Sequence, residues 1–232
     1  MLFFDPLYLL LAAPGLILAL IATVLTRTTF SKYSKIVASS HMTGAQAAQR
    51  LLSSQGVNDV TIEQVEGFLS DHYDPTTKTL RLSPDVYGSQ SLSAIGVACH
   101  EAGHALQHAQ SYAWLGMRTA LVPATQFGST GSYIFIMLGM FMRFPGLILI
   151  GAVLFSVTVL FSIITLPVEW DASARAKRLM AWSGIVSYNE QQDAAKVLNA
   201  AFMTYVASAV TALLMLLYYL IRAGVFGGGR RD

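Results

Sequence analysis

The chain carries one cysteine in 232 residues, and only 12% of its side chains are charged. A lone Cys99 has no partner for an intramolecular disulfide and cannot build a multi-cysteine zinc or iron-sulfur site. Charge is about half the usual share for a soluble domain while 54% of residues are hydrophobic, which argues against a soluble globule. No block of like charges occurs and the formal net charge is only +2, so a nucleic-acid partner is excluded. The first apolar stretch has no basic segment before it, carries Asp5 at its front and shows no small-residue cleavage site. It reads as a retained anchor rather than a signal peptide. Internal repeats are absent too, and Gly227 to Gly229 reads as part of a flexible tail over 223–232.

What is present is apolar sequence in long pieces. Four stretches lack Asp, Glu, Lys and Arg altogether: Pro6 to Thr26, Thr119 to Met142, Phe144 to Val168 and Val197 to Ile221, each of 21 to 25 residues. As helices they reach about 30 Å, the thickness of a bilayer's hydrocarbon core, so the sequence predicts four transmembrane helices. With the N-terminus outside, cytoplasmic segments hold 11 basic residues against 4 outside, the sense of the positive-inside rule. Spans two and three form a hairpin around Arg143-Phe144-Pro145-Gly146. The segments before span two and after span three therefore face the same side, whatever the orientation.

The segment of about 90 residues between spans one and two reads as small α+β. Thr43 with Gln46 makes a capping box, Ala45, Ala48, Leu51 and Leu52 recur at helical spacing, and Gly56 is a stop. Val60 to Glu63 alternates as a strand, and Phe68 to Ser83 reads as two strand runs around the turn Tyr73-Asp74-Pro75-Thr76-Thr77. An amphipathic helix then starts near Ser91 or Ser93.

That helix contains His100-Glu101-Ala102-Gly103-His104, the H-E-x-x-H pattern. Histidines at i and i+4 stand one above the other, so two imidazole nitrogens reach one ion, and Glu101 lies about 100° around, within reach of a water on it. With five His and five Glu in the chain, chance yields the pattern roughly 0.2% of the time. The chemistry is zinc-assisted amide hydrolysis, with Glu101 taking the water's proton and passing it to the leaving amine. A hydrolytic site needs a third protein ligand. His108 lies about 12 Å along a continuous helix from His100, so it would serve only if the helix broke. Glu169, the first charge after span three, is favoured, with Pro167 suiting the first turn of a new helix.

Other residues carry weaker signals. Leu80-Arg81-Leu82 reads equally as an edge strand open to substrate or a buried strand. His72 and Tyr73 could stabilise an oxyanion, though a plain turn role is favoured. Cys99 reads as small buried core. Arg175, Lys177 and Arg178 could meet anionic headgroups, a solvated face being the usual answer. Ser187 with Glu190 makes a second capping box.

The sequence resembles the bacterial YugP-like integral-membrane neutral zinc metallopeptidases. The resemblance is carried by KYSKI, TGAQAAQRLL, DHYDPTTKTLRLS, HEAGHALQHA, RTALVPATQFGS and LPVEWDASARA in that order. It implies zinc ligands His100, His104 and Glu169, with Glu101 as catalytic acid/base. A more distant similarity is to membrane gluzincins, which include prenyl-protein and heat-shock proteases. Those carry Asp four residues after the ligand Glu, where this chain has Ser173, with Asp171 at two, leaving open which carboxylate orients a ligand histidine.

The expected organisation is an α+β membrane protein with four transmembrane helices and a small cytoplasmic zincin-like domain. The boundaries are helix one over 1–26, the catalytic domain over 27–118, helices two and three over 119–142 and 144–168, a cytoplasmic helical segment over 169–196 and helix four over 197–222. The expected activity is a zinc-dependent endopeptidase of the bacterial cell membrane, acting at the cytoplasmic face on membrane-associated or unfolded polypeptide. The alternative is a non-peptidase membrane scaffold with a structural metal, which four protein ligands would close.

Overall fold

The computed structural model describes residues 5–67 and 70–226. Residues 68 and 69, where a strand run was expected to begin, and the glycine tail from 227 lie outside the described residues. The element order is α1 (Pro6–Tyr33), α2 (Gly44–Ser54), β1 (Thr61–Gln64), β2 (His72–Asp74), β3 (Thr79–Leu82), α3 (Pro84–Tyr87), α4 (Leu92–Ala109), α5 (Ala113–Met142), α6 (Pro145–Trp182) and α7 (Tyr188–Arg222).

These elements form two compact units. The first takes residues up to Ile21, Met117–Leu166 and the chain from Tyr205 on. It is helical, and small residues set its spacing: a Cβ on Gly151 would stand 2.9 Å from the backbone nitrogen of Ile136, so α5 and α6 meet almost backbone to backbone. At one end Asp5 accepts a hydrogen bond from the Tyr218 hydroxyl at 2.8 Å and lies 3.5 Å from Arg222 Nε. Three helices, α1, α6 and α7, are long and apolar enough to cross a membrane. Helix α5 has the length, yet Gln126, Ser129, Thr130 and Ser132 dilute its apolar character.

The second unit takes Ala22–Gly116 and Pro167–Thr204. The capping box on α2 forms in both directions, Thr43 Oγ1 accepting from Gln46 N and Gln46 Oε1 from Thr43 N at 2.9 Å. One face of α2 buries Ala47, Ala48, Leu51 and Leu52 against α4. Leu80, Leu82, Ile95, Leu106, Met180 and Ile185 are fully buried in the same core, each contributing about 1.5–3 kcal/mol relative to exposure. The sheet has the order β1-β3-β2, with β1 parallel and β2 antiparallel to β3. Leu80-Arg81-Leu82 is therefore the central strand, which resolves the sequence's ambiguity against an open edge.

One local expectation is corrected. Pro167 does not begin a helix; it lies inside the 38-residue α6, which runs unbroken from the apolar stretch through Glu169 to Trp182. A proline there removes one helical hydrogen bond, normally a cost of about 3 kcal/mol. Tight packing on both sides of it, with Ile164, Val168 and Ala172 all buried, keeps the helix intact.

Candidate metal centre

Ser91 caps α4, its Oγ accepting from Ala94 N, and the helix then runs through His100 to Ala109 without a break. His100 and His104 lie one turn apart with ring centroids separated by 4.8 Å. Across from them α6 presents Glu169, only 1% exposed. Its Oε2 lies 3.2 Å from His100 Nε2 and 3.6 Å from His104 Nε2. One ligand atom from each residue falls within 4.8 Å of the others, a group able to hold a metal ion.

Gly103 makes this approach possible. A Cβ there would stand 2.6 Å from the backbone oxygen of Ala172, so the two helices could not pack as closely with any other residue. The opposing Ala172 is itself small and fully buried.

The faces of the two imidazoles turned away from Glu169 are also engaged. Nδ1 of His104 lies 3.0 Å from Oε1 of the fully buried Gln107, an atom that can only accept. That bond places a proton on His104 Nδ1 and turns Nε2 toward Glu169. The Gln107 amide is held the right way round because its Nε2 donates to Val168 O at 2.8 Å and to Asp171 Oδ2 at 2.9 Å. Arg175 then donates from Nε to the same Asp171 oxygen and from Nη1 to Gln110. Nδ1 of His100 lies 3.1 Å from Ser173 Oγ.

Electrostatics suit a cation. Burial pushes the Glu169 carboxyl up, but the hydrogen bonds from His100 and His104 more than offset it and hold the group below its ordinary value. Burial pushes His104 down, and the adjacent Glu169 carboxylate reverses that, so its affinity for positive charge is raised. Two imidazole nitrogens and one carboxylate oxygen are the donor set of a three-ligand zinc site with a fourth position left for water or substrate.

Glu101 is half-buried on α4 and forms no hydrogen bond with a described residue. His108 stands apart from the trio, its Nδ1 bonded to the Tyr73 hydroxyl at 2.8 Å. His72 is exposed and bonds Ser70 O. Cys99 is buried core, its thiol pushed up to about 12 by burial. Lys177 bonds Asn199 and lies over the Trp170 ring, while Glu190 caps α7. Sequence reasoning missed Gln107 and left Ser173 without a role. A signal existed for both: Gln107 follows His104 by three residues and Ser173 follows Glu169 by four, each on its ligand's helix face.

Comparison with known proteins follows the same line. The profile of the family described as "Putative neutral zinc metallopeptidase" matches residues 8–224. The chain is 44% identical over 226 residues to "Putative membrane protease YugP" of Bacillus subtilis (strain 168), covering 97% of this chain and 99% of that protein. No solved structure matches. A match across nearly the whole chain carries more weight than a five-residue motif, and the donor set gathered from α4 and α6 agrees with it: the chain belongs to the neutral zinc metallopeptidase family, and zinc is its cofactor.

Proposed function

We propose that the protein is a membrane-embedded zinc endopeptidase that hydrolyses membrane-associated or unfolded polypeptide. The observation that carries the reading is the convergence of His100 Nε2, His104 Nε2 and the buried Glu169 Oε2 on one point. These three are the zinc ligands. Bound there, zinc supplies Lewis acidity toward water and the scissile carbonyl. Glu101, one position on from His100 and without a hydrogen bond to any described residue, takes the proton from the attacking water and delivers it to the leaving amine. Gln107 keeps a proton on His104 Nδ1, and Ser173 orients the His100 ring toward ligation.

Helix α5 completes a set of four spans with α1, α6 and α7. Its lack of charge from Thr119 to Met142 and its close packing on α6 support that, since its hydroxyls can bond within the helix. The excess of basic residues in 27–118 and 169–196 favours a zincin-like domain at the cytoplasmic face. Impermeant thiol labelling of Ser39→Cys in a Cys99→Ala background tests it: reaction in intact cells would invert the orientation.

Metal analysis with a casein or peptide cleavage assay on purified protein, wild type beside Glu101→Gln, tests the activity. The substitution keeps both histidines and removes the proton acceptor, so zinc should remain and hydrolysis should be lost. Equal rates in the two proteins would refute the mechanism. The scaffold reading needs a fourth protein ligand, and the cluster has three members among the described residues.

A further inference from the structure

The sequence leaves open which carboxylate orients a ligand histidine, and the structure places the candidate, Asp171, where it bonds neither ring. Asp171 follows Glu169 by two residues, about 200° around α6, so it does not share the side of the helix that faces His100 and His104. Its partners are Gln107 and Arg175: Oδ2 accepts from Gln107 Nε2 at 2.9 Å and from Arg175 Nε. Gln107, three residues past His104 on α4, is the group that stands between Asp171 and that ligand.

What the carboxylate does follows from the donors and acceptors of one amide. Gln107 is fully buried, and each hydrogen of its Nε2 has an oxygen, Val168 O at 2.8 Å and Asp171 Oδ2 at 2.9 Å. The Val168 oxygen carries no proton, and Asp171 Oδ2 accepts from Arg175 as well, so both can only accept. An amide turned over would set Oε1 against both of them, giving up two hydrogen bonds for two oxygen–oxygen repulsions in a buried site. It would also aim Nε2–H at His104 Nδ1, which would then have to accept. A neutral imidazole carries one proton, so that proton would sit on Nε2, the nitrogen 3.6 Å from Glu169 Oε2, and an N–H cannot ligate a cation.

Arg175 aims the Asp171 oxygen. One helical turn further along α6, it donates from Nε to Asp171 and from Nη1 to Gln110, and its guanidinium lies over the Tyr112 ring, 5.6 Å from the centroid. The two side chains are 16% and 28% exposed, so bulk water does not compete freely for the pair.

We propose that Asp171, aimed by Arg175, is a positioning residue of the metal centre: acting through Gln107, it holds the His104 ring with a proton on Nδ1 and Nε2 open to zinc. His100 has a separate support in Ser173, so the two histidines are oriented by different means. The inference rests on the ligand set proposed above and adds a residue outside it.

The test measures zinc affinity by competition with a chelator and follows the imidazole protons of the zinc-loaded, detergent-solubilised full chain by NMR with nitrogen-labelled histidine, five histidines being few enough to assign. Asp171→Leu, which keeps bulk and removes the acceptor, should weaken zinc binding by roughly 10- to 100-fold and speed solvent exchange of the His104 Nδ1 proton, while the His100 ring signals stay in place. Asp171→Asn retains an oxygen for the same donors and should recover most of that loss, landing within about 10-fold of wild type. Arg175→Met leaves the carboxylate but frees it and should fall between the two; it decides if Asp171→Leu fails to fold. Wild-type affinity and an unmoved His104 proton in the folded variants would overturn the inference and leave the ligand set intact. A change shared equally by His100 and His104 would overturn it too, since that is the mark of a general loosening of packing. A Glu169→Ala chain that binds zinc as tightly as wild type would instead remove the ligand set, and the inference with it.

Discussion

Ser173 Oγ lies 3.1 Å from Nδ1 of His100, whose Nε2 faces Glu169 one helical turn earlier on α6. One face of one helix thus grips both nitrogens of a histidine that belongs to another. Gln107 does the corresponding work for His104 from within α4.

These two contacts make graded forecasts. Ser173→Ala and Gln107→Leu should each weaken zinc binding by roughly 10- to 100-fold, measured by competition with a chelator of known affinity. Gln107→Leu should also lower stability by about 1–3 kcal/mol, because it strips partners from the buried Val168 carbonyl and His104 Nδ1. Wild-type zinc affinity in both variants would mean that the histidines need no outer support.

Gly103→Ala separates packing from propensity. On an isolated helix the change would stabilise by about 1 kcal/mol. Here the new Cβ meets the Ala172 carbonyl oxygen at 2.6 Å, so α4 and α6 must part. The expected outcome is a net loss of about 1–3 kcal/mol in thermal or denaturant unfolding, with weaker zinc binding. A more stable variant would show that the close approach is dispensable.

Removing Glu169 and removing His108 should give unlike results. Glu169→Ala deletes a buried anionic donor and should abolish measurable zinc retention on dialysis. His108→Ala, bonded to Tyr73 and outside the trio, should keep zinc within the range of an indirect effect, no more than about 100-fold. The opposite ranking would exchange their roles.

Glu190 supplies a pH forecast. Burial pushes its carboxyl up, but hydrogen bonds from Ser187 N and from the Ser39 amide and hydroxyl more than offset this and hold it at about 2. A folded value below the ordinary 4.5 means the stabilisation is complete above pH 4.5 and is lost as pH falls through about 2. Wild type should therefore lose more thermal stability between pH 5 and pH 2 than Glu190→Gln does. Parallel curves would show that the Ser39 tie contributes nothing.

How much of this was legible depended on the range of the signal. Local devices read correctly: the Thr43 box, the start of α4 near Ser91 or Ser93, which the structure gives to Ser91, and the tight turn after Asp74 are each written within a few residues. The gathering of His100, His104 and Glu169 was legible because topology limits which segments can meet. The Gln107 to Asp171 bond was not, because nothing in the spacing of two separate helices fixes their rotation about each other. Pro167 misled for a different reason: proline's preference for a helix start is a local bias, and the burial of Val168 and Ala172 beside it overrides that bias. The centre of the sheet likewise fell to β3 through non-local pairing with β1, which alternation along one strand cannot reveal.

The 69 positions that separate His100 from Glu169 have a meaning during synthesis. At about 5–20 residues per second, the ribosome needs about 3–14 s to go from one to the other. In that interval His100 and His104 have been made and Glu169, the carboxylate they face, has not. The trio therefore cannot assemble until α5 and α6 as far as Glu169 have been synthesised.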